Sequence, residues 1–428
     1  MSISIKNNGI QHRSKSDAGT TGETAATAPA TVATGSSARP AVSSGIYAAS
    51  EAGSVEVPEG VVLSEPSAGE VISTWSKNWA EALPARGQAE MSALIDDAVA
   101  STRALQHKAN VEPGTSLCPV HRGFQAKGTY ATTQAKFKVA SNLPDALRVG
   151  PFAPGAEYRS IVRFSNASST VQSDELADQR GIGFRLVGDD GQIQDITLTS
   201  GSGENHARDA AEFVASIHAA QHLTKGGITG KAGAIASLAS EIGPFDALKM
   251  VKASGEAKDE GLSLAANTFY SRAPFKLGDY AVKMRLAPVG VDYPGLVGQG
   301  GSDALTQDFV ERRQQGPVRF ALQVQGFKDE DHTSMADHRS EWQSPWITVG
   351  QLVFPRQPRA SEASARAVSS EVSGALAFTP FNQWDGENGD VLKPLGELNA
   401  LRRDVYRESA RESGRSGPAT RGCPFLHG

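Results

Sequence analysis

Alternating strands separated by turns and interrupted by helical stretches predict an α+β fold, an antiparallel β-barrel with surrounding helices. Three observations carry the prediction. Side chains alternate over 135–139 and 160–165, divided by turn formers in Asn142-Leu143-Pro144-Asp145 and Ala153-Pro154-Gly155. A hairpin reads from 182–187 through Gly188-Asp189-Asp190-Gly191 into 193–198. Further strands at 280–286, 318–325 and 347–352 come after helical periodicity at 209–222 and 232–253.

At the start of the chain, residues 1–65 are rich in Ser, Thr, Ala and Gly and poor in large apolar groups. They cannot bury enough surface to offset the entropy of ordering, so a disordered leader is expected. Met1 to Lys6 opens no apolar stretch of the kind a cleaved secretory signal needs; plain disorder is the expected reading, with a linker or a signal-independent secretion address as the alternatives. Over 66–110 the period turns helical, with one stripe of Val71, Ile72, Trp75, Trp79 and Leu83 and another of Met91, Leu94, Ile95, Ala98 and Leu105. This N-terminal extension is expected to dock on a larger body at 111–415, with a flexible tail beyond it at 416–428.

Composition narrows the functional classes. The 428 residues carry a net charge of -5, which argues against nucleic acid or an anionic membrane as partner. No apolar run is long enough for an integral membrane segment. Two cysteines, Cys118 and Cys423, cannot form a disulfide framework, so a reduced, cytoplasmic protein is the default.

The stretch Pro394 to Glu408 reads as a helix after Gly396, with Leu398, Leu401, Arg402, Val405 and Tyr406 at three- and four-residue intervals. Arg402 and Tyr406 share a face, close enough for guanidinium to meet phenol. A cation there stabilises a phenolate, the form that ligates ferric iron. Alone, the pair is also what an ordinary amphipathic helix shows. His218 and His222 have metal-ligand spacing without an evident third ligand, and read as a solvated face.

Several motifs then accumulate in order: Arg122-Gly-Phe-Gln125-Ala-Lys-Gly128, Val162-Arg163-Phe164-Ser165-Asn166, Asp178-Gln-Arg180-Gly181, Gln194-Asp195-Ile196, Arg208-Asp209-x-x-x-Phe213, Gln325-Gly-Phe-Lys-Asp329, Trp342 with Pro345, Val349-Gly350-Gln351-Leu352, and Arg402-x-x-x-Tyr406. Together they resemble the catalase superfamily, in particular its smaller catalase-like bacterial members, from about Arg122 to Arg411. The resemblance implies a β-barrel holding haem b. In it Tyr406 is the proximal ligand to iron and Arg402 its charge partner. Arg122 and Arg163 hold haem propionates, Phe213 lies against the porphyrin, and Arg411 reaches toward a propionate.

The departure is distal. Catalases place a His where this chain has Gln125, and an Asn where Thr199 or Ser200 stands. An amide can hydrogen-bond peroxide but cannot accept its proton, and losing a general acid–base typically costs a factor of about 10² to 10⁴. His206 or His121 are candidates to compensate, each weighed against a structurally satisfied histidine. The expected function is a haem-dependent oxidoreductase acting on hydrogen peroxide or an organic hydroperoxide with an organic co-substrate, as a peroxidase or peroxygenase. The alternatives are a hydroperoxide isomerase or lyase resembling allene oxide synthase, and a catalytically weak haem-binding or scaffold protein. The superfamily and the docking helices suggest a homo-oligomer.

Overall fold

Ten strands form one antiparallel sheet among the described residues: β1 (Gly128–Val139), β2 (Glu157–Asn166), β3 (Arg180–Val187), β4 (Ile193–Ser200), β5 (Phe269–Tyr270), β6 (Phe275–Leu277), β7 (Tyr280–Val289), β8 (Val318–Gly326), β9 (Ile347–Phe354) and β10 (Val391–Pro394). The order is β10-β6-β7-β5-β4-β3-β2-β1-β9-β8, and β7 also pairs with β8 from Val282↔Gly326 to Val289↔Arg319. That pairing closes eight strands into a barrel and leaves no open edge between them. Eight helices surround it among the described residues: α1 (Ala68–Ser73), α2 (Gln88–Ala109), α3 (Ala210–Leu223), α4 (Gly227–Ile242), α5 (Pro244–Glu256), α6 (Ala304–Gln315), α7 (Glu362–Ala375) and α8 (Gly396–Glu412). The computed structural model describes residues 67–109 and 122–415, apart from 225, 260, 299, 360–361, 386–388 and 390. The chain divides into two units, Met1–Leu63 and Ser64–Gly428, and the described residues belong to the second. The leader, the tail, Cys118, His121 and Cys423 lie outside the described residues.

Strand alternation sorts side chains between two buried surfaces. Val162 and Phe164 of β2, Ile182 and Phe184 of β3, and Ile196 and Leu198 of β4 point into the barrel core with Met284, Phe320 and Leu352. Phe164 sits among Phe269, Phe309, Phe320 and Phe354, with ring centroids 5.1 to 6.3 Å away. Burying each such ring contributes about 1.5–3 kcal/mol. The intervening residues of β2 face outward yet stay buried: Ile161 packs with Ala131, Val372 and Leu376, so α7 covers this part of the wall. α7 approaches so closely that a Cβ on Gly128 would collide with Ser373, which explains glycine there.

The structure differs from the sequence expectation in definable places. β1 starts at Gly128 rather than near 135, because an irregularity between Thr132 and Ala135 breaks the alternation and shifts which parity faces inward. The helix expected over 232–253 is two helices. Gly243 adopts φ +81°, and Pro244 begins α5, so the chain turns between them. β5, β6 and β10 span two to four residues, too few for a period to register. His218 is partly exposed, and its two ring nitrogens also lie 2.8 Å from Glu241 and 2.9 Å from Asp97, carboxylates from α4 and α2. No helix among the described residues is long and apolar enough to cross a membrane.

One buried ion pair ties the outer wall together. Arg185 Nε and Nη2 donate to Asp195 at 2.6 and 2.7 Å, with both side chains fully buried. Asp195 also accepts from Thr379 N and Asn382 Nδ2, which fastens the segment after α7 to the barrel. Asp195→Ala strands a guanidinium in a dry site and is expected to cost about 3–5 kcal/mol in urea unfolding, whereas the double change Arg185→Met with Asp195→Leu recovers much of it.

Candidate functional site

The floor of the site is the outer surface of three barrel strands. Register sets Arg163 beside Gly183 and Gly183 beside Thr197; the next row is Ser165, Gly181 and Thr199. The two glycines remove side chains from the middle strand, so the floor is low at its centre. The other walls come from α3 with Phe213 and Ile217, α8 with Arg402 and Tyr406, the 122–125 segment, and the 202–206 loop. They enclose a cavity of about 1150 Å³. Arg122, Gln125, Arg163, His206, Phe213, Arg402 and Tyr406, seven of the residues singled out in the sequence, meet in this one cavity. Arg411 lies outside it, on the exposed face of α8, with its guanidinium on Glu408 and Glu412.

α8 delivers a chain of three side chains. Asn399 is fully buried and its Nδ2 donates to the Pro274 and Leu395 carbonyls, which fixes the amide orientation. Its Oδ1 accepts from Arg402 Nη1 at 3.1 Å, and Arg402 Nη2 donates to Tyr406 Oη at 3.2 Å. The helical interval brought Arg402 and Tyr406 together, as their spacing requires. Asn399 escaped the sequence reading, although a polar residue in the apolar stripe Leu398, Leu401 and Val405 was a usable signal.

Two further arginines are held by α7. Arg122 Nη1 donates to the Ser373 carbonyl at 3.2 Å and Nη2 to that of Leu376, both at the negative end of the helix. Arg163 Nε donates to Ser373 Oγ at 3.1 Å and Nη2 to the Gln125 carbonyl at 2.9 Å. Arg163 is buried without a carboxylate partner among the described residues; desolvation, with help from Arg415, pushes its pKa down to about 9. A buried cation lacking an anion is costly, and its placement in a cavity wall suits an anionic ligand.

Gln125 has φ +56°, a left-handed conformation rare outside glycine. It is pinned at both ends: its N–H donates to Ala167 O at 3.1 Å, and its carbonyl accepts from Arg163. Its side-chain amide lies over Gly181 beside Ser165, where a Cβ on Gly181 would come within 2.9 Å of Nε2. Strained backbone held by its surroundings is a recurrent feature of functional sites.

His206 rests against Phe213, with ring centroids 5.8 Å apart, and its Nε2 is 3.1 Å from Ser216 Oγ. Ser216 Oγ gives its proton to the Phe213 carbonyl at 2.6 Å, so it accepts from His206. The ring therefore carries its proton on Nε2, and Nδ1 keeps a lone pair. Burial and the charge of Arg272 lower the pKa of His206 to about 4. Sequence reading also missed Arg272. It donates to Thr199 and to the Ser200, Ser202 and Glu204 carbonyls, and thereby shapes the loop that carries His206.

Beside this loop His338 is buried, and desolvation together with Lys283 lowers its pKa to about 4. Both histidines stay neutral in the fold at pH values where the unfolded chain binds a proton. Their contribution to stability is therefore complete above about pH 6.5 and falls away as the pH drops toward 4. Urea titrations across this range should show that fall, and His338→Gln should flatten it.

No family model matches this sequence, and no curated protein does. Among solved structures 16 chains match. One is a bacterial catalase with a TM-score of 0.53 and 17% sequence identity, covering 71% of this chain and 58% of the catalase. The chain thus spans less than two thirds of that protein's length. At this identity the likeness is one of fold: a closed antiparallel β-barrel with helices around it, of the catalase-like α+β kind.

Proposed function

We propose that the cavity holds haem b and that the protein is a peroxide-dependent oxidoreductase of peroxidase or peroxygenase type. The observation that carries this reading is the Arg402–Tyr406 contact inside the cavity, a phenol oxygen under a guanidinium. The donor set fits the group. Tyr406 would ligate the iron, and Arg402, oriented by Asn399, would hold the phenolate. Arg163, a buried cation with no carboxylate among the described residues, and Arg122 would meet the propionates. Phe213 would flank the ring, and about 1150 Å³ accommodates a ligand of that size. When bound, haem b supplies the redox-active iron on which a peroxide O–O bond is cleaved.

The chain's own residues govern proton movement in the cavity. His206 Nδ1, with its lone pair, can take a proton, and the low pKa of the ring keeps it ready to do so above about pH 4. Gln125 can orient a bound peroxide by hydrogen bonding but cannot move its proton. One weakly basic imidazole and one amide favour consumption of an organic co-substrate over rapid disproportionation.

Visible spectra of haem-supplemented protein test the core of the proposal. Wild type should take up haem and give a high-spin ferric spectrum that changes in Tyr406→Phe. Arg163→Met should weaken uptake by about tenfold or more, the value of a charge-assisted bond. Absence of uptake by the wild type would overturn the reading. Oxygen release separates the reactions: wild type should be slow, and Gln125→His faster, toward the factor of about 10² that a general acid–base contributes. Turnover of an organic hydroperoxide without reductant would select an isomerase instead.

A further inference from the structure

Large apolar side chains exposed on the described surface are concentrated on a few elements. All of them except Val289 and Tyr293 lie on α4, α5, the end of α3, or the loop 167–178. Ile228 is 86% exposed, Phe245 82% and Leu248 68%, so these side chains stand clear of their neighbours. On α4, Ile228 and Ile235 are seven residues apart and share a face, while Gly230, Ala234 and Leu238 turn inward. On α5, Phe245 and Leu248 face outward, and Ala247 and Met250 are buried. The same α5 supplies Lys249, Ala253 and Ser254 to the cavity wall, and Leu223 of α3 belongs to both the exposed apolar set and the cavity. The Asp178↔Asp259 bridge ties the 167–178 loop to the chain just beyond α5. The apolar ridge therefore adjoins the cavity wall through α5 and Leu223.

Charge on the ridge is unevenly committed. Two acids there are held by close partners: Glu241 takes His218 and Ser237, and Asp246 takes Arg339 at 3.1 Å. Lys231 has no ion pair among the described residues, while Lys249 and Lys252 make exposed contacts at 3.5 and 3.7 Å. Lys249 and Lys252 are thus only loosely engaged, by Asp246 and Glu256, and all three lysines are on stems long enough to reach around an inserted apolar face. Protruding apolar side chains ringed by lysines suit the headgroup boundary of a phospholipid bilayer, where apolar groups enter the acyl region and ammonium groups meet phosphate. The mild overall acidity of the chain opposes attachment by charge alone, but insertion of apolar surface rests on different physics.

We propose that α4 and α5 form a membrane-docking ridge that seats this side of the cavity on a phospholipid surface, giving membrane-dissolved molecules direct entry. This inference is independent of the group the cavity holds. The test is co-sedimentation of the full chain with vesicles of three parts phosphatidylcholine to one part phosphatidylglycerol. Wild type is expected in the pellet, with Phe245→Asp/Leu248→Asp reducing the partition coefficient by about tenfold or more. These sites are exposed, so the variant should keep the wild-type melting temperature. Lys231→Glu/Lys252→Glu, which leaves the apolar groups in place, should also weaken binding. The proposal is overturned if wild type stays in the supernatant, or if the aspartate variant binds as wild type does. Sedimentation velocity showing a dimer that Phe245→Asp dissociates, without vesicle binding, would overturn it in favour of a second copy as the occupant.

Discussion

The closed barrel is filled by its own side chains, and everything else in the molecule is arranged around that constraint. Phe164, Phe269, Phe320 and Phe354 pack against one another at its centre. The cavity lies on the outer wall, between the strands and the helices that cover them. There the second face of β2 to β4 carries polar and small residues, and α3 and α8 supply the cover. The alternation that builds the core therefore also builds the floor of the cavity.

The outer wall contains two arginines in opposite electrostatic situations. Arg185 is neutralised by Asp195 and supports the fold. Arg163, two residues from Ile161 along the neighbouring strand, has hydroxyl and carbonyl partners but no carboxylate among the described residues. Desolvating a guanidinium without a counter-charge is unfavourable, so the fold tolerates at Arg163 what it avoids at Arg185. Such an imbalance in a cavity wall is what binding of an anionic ligand would relieve. The same Arg163 holds the carbonyl of Gln125, so cation placement and the left-handed backbone at Gln125 depend on each other.

Proton chemistry in the cavity is set by environment more than by residue type. Ser216, by committing its own proton to the Phe213 carbonyl, decides which nitrogen of His206 is bare. Arg272 gathers the carbonyls of the 199–204 loop and, after burial, is the second cause that lowers the basicity of the same histidine. One arginine thus shapes the loop and tunes the ring that the loop carries.

Much of this was legible in the sequence because it is local. Two-residue alternation identified the long strands, and the turn at Gly188 to Gly191 identified the β3–β4 hairpin. A four-residue interval placed Arg402 against Tyr406, since helical geometry alone fixes that contact. Other features depend on strands and helices distant in sequence. The β7–β8 closure, the carboxylates of α2 and α4 on His218, the Asn399–Pro274 bond and the carbonyl- and hydroxyl-lined seats of Arg272 and Arg163 join segments that no short pattern connects. The sequence by itself determined which residues alternate and which share a helical face. Tertiary structure alone decided which face of each strand is core and which is cavity, because that choice is made by what packs against it.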